Sequence, residues 1–302
     1  MKLFAPEGAA PPSPGPWTEA RLRRAMANEE VLTAVVHRCD AAHMLHLRLG
    51  GIRCRIPLAE AALGPGGGPP RAAAAAACVG RPVCFHVTAL TEDEAGLCAL
   101  GSRRAVQAEA LAAYLAGLRP GDILPGVVTG LAHFGAFCDL GRGVTGLLPT
   151  GRIAVSHTRD AAERFRPGQR LYAVVQSTEG GRITLSHREL LGTWRDNAAR
   201  FAPGQVVPGI ARSVMPYGTF IELTPNLSGL CEAEPRLEPG ERVSVRIKSI
   251  QPERRKIKLA VVHRLPPSAA PPAYHYFRRE GHMDFWQYAP ALREKAPILT
   301  CF

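Results

Sequence analysis

Val127-Val128-Thr129-Gly130-Leu131-Ala132-His133-Phe134-Gly135-Ala136-Phe137-Cys138-Asp139-Leu140-Gly141 is the stretch that decides the fold of this chain. Val127, Val128 and Thr129 are β-branched and favour an extended backbone. Phe137 to Leu140 alternate before Gly141 ends the run, the pattern of a second strand. Phe134-Gly135-Ala136-Phe137 falls at the corner between them. On a bent strand edge, two rings three residues apart around a glycine can sit beside each other outside the core. Exposed rings on a β-surface stack unpaired bases. The same rings could equally be core residues, and one copy of the motif leaves both readings open.

The stretch recurs. Tyr217-Gly218-Thr219-Phe220 matches Phe134-Gly135-Ala136-Phe137 position by position. Pro120-Gly121-Asp122 is matched by Pro203-Gly204-Gln205 before the first strand, and Thr145-Gly146-Leu147-Leu148 by Ser228-Gly229-Leu230-Cys231 after the second. Pro167-Gly168-Gln169-Arg170 is matched by Pro239-Gly240-Glu241-Arg242, and Arg182-Ile183-Thr184-Leu185 by Lys256-Ile257-Lys258-Leu259. Five short strands in roughly 70 residues predict a small closed barrel.

In this order the motifs closely resemble the S1 RNA-binding domain, an oligonucleotide-binding barrel, over residues 119–189 and 203–262. The resemblance implies a mainly β fold with short connecting helices, built of tandem five-stranded OB-fold (S1-type) barrels. It also implies RNA on the face of the second and third strands. There it would touch two aromatics, a histidine in a GLVHIS-like segment, and an Asp and an Arg around the last hairpin. Carried over, the aromatics are Phe134 and Phe137, then Tyr217 and Phe220; the basic residue is Arg182, then Lys256. Pro149 and Glu232 stand where the histidine would be. Thr178 and Pro252 stand where the Asp would be, beside Glu179 and Glu253. His133, Arg142, Arg254, Arg255 and Lys258 complete the candidate RNA-binding set, and Arg254 to Lys258 place four cations within five residues. A wider, less motif-rich resemblance runs to the short ribosomal protein S1-like proteins of clostridial-type (Firmicutes) bacteria.

The rest of the chain is consistent with this. Its 302 residues can hold two to four small domains. The net charge is +11, and 32 of the 37 basic residues are Arg. A basic chain attracts polyanions, and arginine suits planar contact with phosphates and bases. A GC-rich coding bias would also favour Arg over Lys, but it does not account for the charge. The longest near-apolar run, Arg71 to Val79, is too short to span a bilayer. The start Met-Lys-Leu-Phe-Ala-Pro shows no signal peptide. Eight cysteines without a CxxC pair predict buried thiols in a reducing cytoplasm.

Residues 1–29 read as a loose Pro/Gly arm and a short basic helix, N-capped by Thr18, that packs Leu22 and Met26 inward. Residues 30–105 read as a degenerate S1-like barrel in which His43 and His46 replace the rings and the corner glycine is lost. His37, Cys39, His43 and His46 match no common zinc module. Residues 106–118 read as a helical linker, 119–189 as an S1 domain, and 190–202 as a second helical linker with Trp194 as a packing anchor. Residues 203–262 read as another S1 domain, with the segment from Ser156 to Phe165 in the preceding one as a short helix. Residues 263–302 are a Pro-rich linker and an aromatic tail, which folds back on the third barrel or docks on a partner.

The expected function is a non-catalytic, single-stranded RNA-binding protein that holds mRNA at the small ribosomal subunit in translation. The alternative is a regulatory adaptor bringing RNA to a nuclease or polymerase. No HxxEH, DxD cluster or phosphate loop points to catalysis. No metal or cofactor is expected. The expected partners are single-stranded RNA (mRNA) and proteins of the 30S subunit, not a membrane, with the chain cytoplasmic and monomeric.

Overall fold

A computed structural model of the chain describes all residues except 1–2, 10, 65–67, 69, 233–236, 269–272 and 291–295. Among the described residues the fold is mainly β, with three closed five-stranded barrels and a small hairpin. It divides into two compact units. The first runs to Leu118 and takes in Asp139–Gly146 and Glu179–Gly181. The second comprises Arg119–Cys138, Leu147–Thr178 and Arg182–Phe302.

In the first unit, α1 (Glu19–Ala27) starts where the Thr18 hydroxyl accepts the Arg21 N–H, and it buries Leu22 and Ala25. Strands β1 (Leu32–Cys39), β2 (Leu45–Leu49) and β3 (Ile52–Ile56) follow. Two short helices come next, α2 (Leu58–Ala61) and α3 (Ala72–Ala76). Then β4 (Pro82–Asp93) and β5 (Gly96–Ser102) close the barrel in the order β1-β2-β3-β5-β4. A parallel β3–β5 pairing completes it, and a bulge at Val36/Arg38 bends β1 round the corner. Helix α4 (Arg103–Gly117) begins directly after β5, three residues before the expected linker. The Ser102 hydroxyl caps it by accepting the Ala105 N–H.

The N-terminal arm is not loose. Glu7 is buried, accepts the Cys84 N–H and holds both sides of the Arg103 guanidinium at 2.8 and 2.7 Å. A paired, hydrogen-bonded charge of this kind fixes the arm that carries it.

Strands β6 (Ile123–Ala132), β7 (Gly135–Asp139), β8 (Thr145–Pro149), β9 (Arg170–Ser177) and β10 (Ile183–Ser186) form one barrel, ordered β10-β8-β7-β6-β9. The helix expected between β8 and β9 is replaced by isolated 3-10 turns, Thr150–Arg152 and Ala161–Glu163. Arginine side chains take the carbonyls a helix would use: Arg164 donates to Ser156 and His157, and Arg166 to Ala162. The second linker is likewise broken. Gly192, at φ +81°, separates a 3-10 turn (Arg188–Leu191) from α5 (Trp194–Ala198), which Thr193 and Asp196 cap reciprocally. Trp194 is buried in the core, as expected.

Strands β11 (Val206–Met215), β12 (Gly218–Thr224), β13 (Leu227–Cys231), β14 (Arg242–Gln251) and β15 (Lys256–Arg264) build the third barrel, closed by a parallel β13–β15 pair. The tail folds back, onto the second barrel as well as the third. Tyr274 and Tyr276 pack with Phe165, His187 and Tyr172. The hairpin β16 (Phe285–Ala289) and β17 (Ile298–Cys301) turns Trp286 and Tyr288 into the shared core. No disulfide joins the eight cysteines; six are buried, and Cys301 is exposed. Among the described residues no helix is long and apolar enough to cross a membrane.

Candidate nucleic-acid interface

The ring motif sits at the β6–β7 corner and again at the β11–β12 corner. A Cβ on Gly135 would lie 2.5 Å from the Leu148 carbonyl oxygen, and one on Gly218 would lie 2.4 Å from that of Cys231. Both glycines therefore let the ring-bearing strand cross close to the end of its neighbour. Gly218 also takes φ +145°, a backbone that side chains resist. The alternation then turns Ala136 and Cys138, and in the other copy Ile221, into the barrel.

Neither ring pair is core. Phe134 is 47% exposed and Tyr217 60%, while Phe137 and Phe220 are half-buried. The two rings of each pair are not parallel. Phe134 and Phe137 stand 6.0 Å apart at 90°, and Tyr217 and Phe220 stand 6.3 Å apart at 89°. Edge-to-face packing follows from the ring quadrupole. It leaves each ring at least one face that its partner does not cover. His133 is exposed and meets the Phe134 ring edge-on at 5.2 Å.

The basic residues divide. Arg182 and Lys256 are exposed at the starts of the last hairpins' second strands, β10 and β15. In each barrel one strand, β8 or β13, separates that cation from the ring strand. Adjacent strands lie about 4.8 Å apart, so rings and cation are about 10 Å apart across the sheet. Arg254 is exposed on the turn before β15. Lys258 is paired with Glu232 at 2.9 Å, and this hydrogen bond holds the Glu232 carboxyl below the usual carboxylate range. Arg142 faces a different contact: in the first unit its guanidinium lies 4.4 Å from the Phe4 ring centroid. Arg255 takes φ +50° and is turned in; its Nε and Nη2 are buried without a hydrogen-bond partner.

In the first barrel His46 pairs with Asp40 at 2.8 Å, and His43 occupies a tight turn at φ +58°. Neither reproduces an exposed ring pair. Sequence reasoning missed one feature of the second unit, a buried charge cluster. Glu222 on β12 accepts from Arg164 and Arg212, and Arg212 also pairs with Glu163. Its members are far apart in sequence, and no local pattern announces them.

Tandem five-stranded barrels with ring pairs on one outer face define a class of oligonucleotide-binding barrel proteins. Residues 118–188 match the family described as S1 RNA binding domain. It is 33% identical over 178 residues to the small ribosomal subunit protein bS1 of Leuconostoc lactis, covering 53% of this chain and 41% of that protein. It is 32% identical over 183 residues to bS1 of Staphylococcus haemolyticus, covering 55% of this chain and 46% of that one. The chain thus spans less than half the length of these curated relatives. A crystal structure of a multidomain protein with nucleic acid binding domains from Streptococcus pneumoniae overlaps 77% of this chain and 73% of that one, at 16% identity and a TM-score of 0.26.

Proposed function

We propose that the chain is a non-catalytic single-stranded RNA-binding protein that holds mRNA at the small ribosomal subunit during translation. The observation that carries this reading is the duplicated ring pair: Phe134 with Phe137, and Tyr217 with Phe220, each perpendicular and each reaching solvent from the same corner of its barrel. A base stacked on such a ring contributes about 1–3 kcal/mol whatever its identity. Two such sites on one chain reinforce each other through effective concentration. A strand crossing β7, β8 and β10 would meet the rings first and Arg182 last; across β12, β13 and β15 it would end at Lys256. Each phosphate neutralised there steepens the salt dependence of binding. The first barrel, with His46 bound to Asp40, has no equivalent platform and contributes contact with protein or weak contact with RNA. The partners are then mRNA and small-subunit proteins, in the cytoplasm, with the chain acting as a monomer.

The test is a chain with Phe134, Phe137, Tyr217 and Phe220 all changed to alanine. Its affinity for a labelled unstructured RNA should fall at least about tenfold, with its circular dichroism unchanged. Unaltered affinity in that folded variant rejects the platform. Co-sedimentation of the parent chain with 30S particles tests the ribosomal part.

A further inference from the structure

A cavity adjoins the ring pair of the third barrel, with Phe220 in its wall. It has a volume of about 270 Å³ and lies between the second barrel, the third barrel and the tail hairpin. Val155, Trp194, Phe220, Arg255, Tyr288 and Ile298 form its walls, with Ser156, Asn226 and Ser228 between them. All of these belong to the second unit.

The serine, asparagine and tyrosine side chains of the lining are engaged. The Ser156 and Ser228 hydroxyls bond each other at 2.8 Å. Asn226 Oδ1 accepts the Val155 N–H, and its Nδ2 donates to the Arg188 and Gly192 carbonyls. The Tyr288 hydroxyl donates to the Asn226 carbonyl. Among the described lining residues, Arg255 keeps donors in reserve: its Nε and Nη2 are buried and meet no acceptor. Burying donors of a charged group without partners is costly, and native structures rarely do it without a reason. The reason is local. Arg255 occupies the left-handed position of the β14–β15 turn, which sends its side chain inward while Arg254 and Lys256 stay in solvent.

We propose that this cavity takes a guanine base of the bound RNA strand, read by Arg255; the proposal rests on the RNA-binding function above. Nε and Nη2 are sealed as they stand, so Arg255 must turn toward the cavity to use them, and the ligand must then offer it acceptors and offer flat apolar faces to the walls. A phosphate satisfies the first condition but loses its hydration against Val155, Trp194 and Ile298. Guanine satisfies both, because N7 and O6 are adjacent acceptors on one edge of a flat ring. Adenine sets its amino donor against the guanidinium at that edge, and arginine discriminates the two for this reason. Phe220 belongs to both places: it stands in the ring pair and in the cavity wall, so the base entering the cavity is the neighbour of one stacked on the platform. Binding by the third barrel then prefers guanine at one position, unlike binding by stacking alone.

The experiment measures fluorescence anisotropy of the full chain with six-residue oligouridylates carrying one central guanosine, adenosine, 7-deazaguanosine or uridine. The guanosine strand should bind about tenfold tighter than the adenosine or uridine strands. Replacing guanine N7 by carbon should remove most of that gain in the unmodified protein, independently of any folding defect. In Arg255→Met the guanosine-to-adenosine affinity ratio should fall to about one. Equal binding of all four strands by the parent chain overturns the guanine pocket and leaves the RNA-binding function standing. A ratio that survives Arg255→Met also overturns it. Failure of every strand to bind removes the RNA-binding function itself.

Discussion

Arg164 and Glu222 form a forked ion pair, with Nη1–Oε1 and Nη2–Oε2 both at 2.7 Å, and the two side chains are 0% and 5% exposed. The pair joins the turn segment after β8 to strand β12, so it locks the second barrel to the third. Arg212 adds two more bonds to the same carboxylate, at 3.0 and 3.2 Å. Two buried guanidiniums thus share one acid, and only Arg212 has a second carboxylate, Glu163 at 3.1 Å. Removing one partner of a buried pair leaves an uncompensated charge and costs about 3–5 kcal/mol. Glu222→Ala should lower the unfolding free energy by that amount in urea denaturation. It should also raise protease sensitivity in residues 190–202. A loss below about 1 kcal/mol would mean that water already reaches the arginines, as at an exposed pair.

Gly135 and Gly218 give a second expectation. Alanine at either would drive Cβ against a backbone carbonyl at 2.5 or 2.4 Å, and a backbone atom cannot swing aside as a side chain does. Each Gly→Ala change should cost about 2 kcal/mol and displace the adjacent ring, weakening RNA binding. Gly204 is the control. It takes φ +91° but has nothing within 4 Å of its would-be Cβ. Gly204→Ala should cost only the backbone strain, about 1–2 kcal/mol, and leave RNA affinity unaltered. If Gly218→Ala binds RNA as the parent does, ring placement does not depend on the close crossing.

These glycines also mark what the sequence made legible. The corner motif is local: ring, glycine, ring within four residues, written twice, and its neighbours in the barrel follow from the same repeat. The features that escaped are long-range or conformational. Arg164 and Glu222 lie 58 positions apart, and no periodicity links them. Arg255 reads as one of four cations on a hairpin tip, and only its left-handed φ turns it inward. Arg142 looked available because its partner, Phe4, lies far upstream. The tail has no repeat counterpart, so nothing in the chain indicated that Tyr276 would reach a histidine of the second barrel.

That histidine supplies the last prediction. His187 is fully buried; its Nδ1–H donates to the Ile153 carbonyl at 2.9 Å, and its Nε2 accepts from the Tyr276 hydroxyl at 3.0 Å. Burial pushes its pKa down to about 4, against the Ile153 bond that favours the charged form, and the nearby Arg164 charge lowers it further. In the unfolded chain a histidine titrates near 6.5. Between these two values the unfolded state takes up a proton that the folded state refuses. The stability His187 confers is therefore complete above about pH 6.5 and is lost as the pH falls toward 4. The full loss is roughly 3 kcal/mol. Protonation also opposes the Tyr276 bond, because Nε2 then carries a hydrogen, so the tail should loosen first. Urea denaturation of the parent chain and of His187→Gln at pH 7.5, 6.0 and 4.5 isolates this effect from the carboxylates, which titrate in both. The stability gap between the two proteins should narrow on acidification, and proteolytic cleavage beside Tyr274 and Tyr276 of the parent should rise over the same interval. A gap that stays constant from pH 7.5 to 4.5 would mean that the folded protein accommodates the imidazolium, with water or a carboxylate reaching His187.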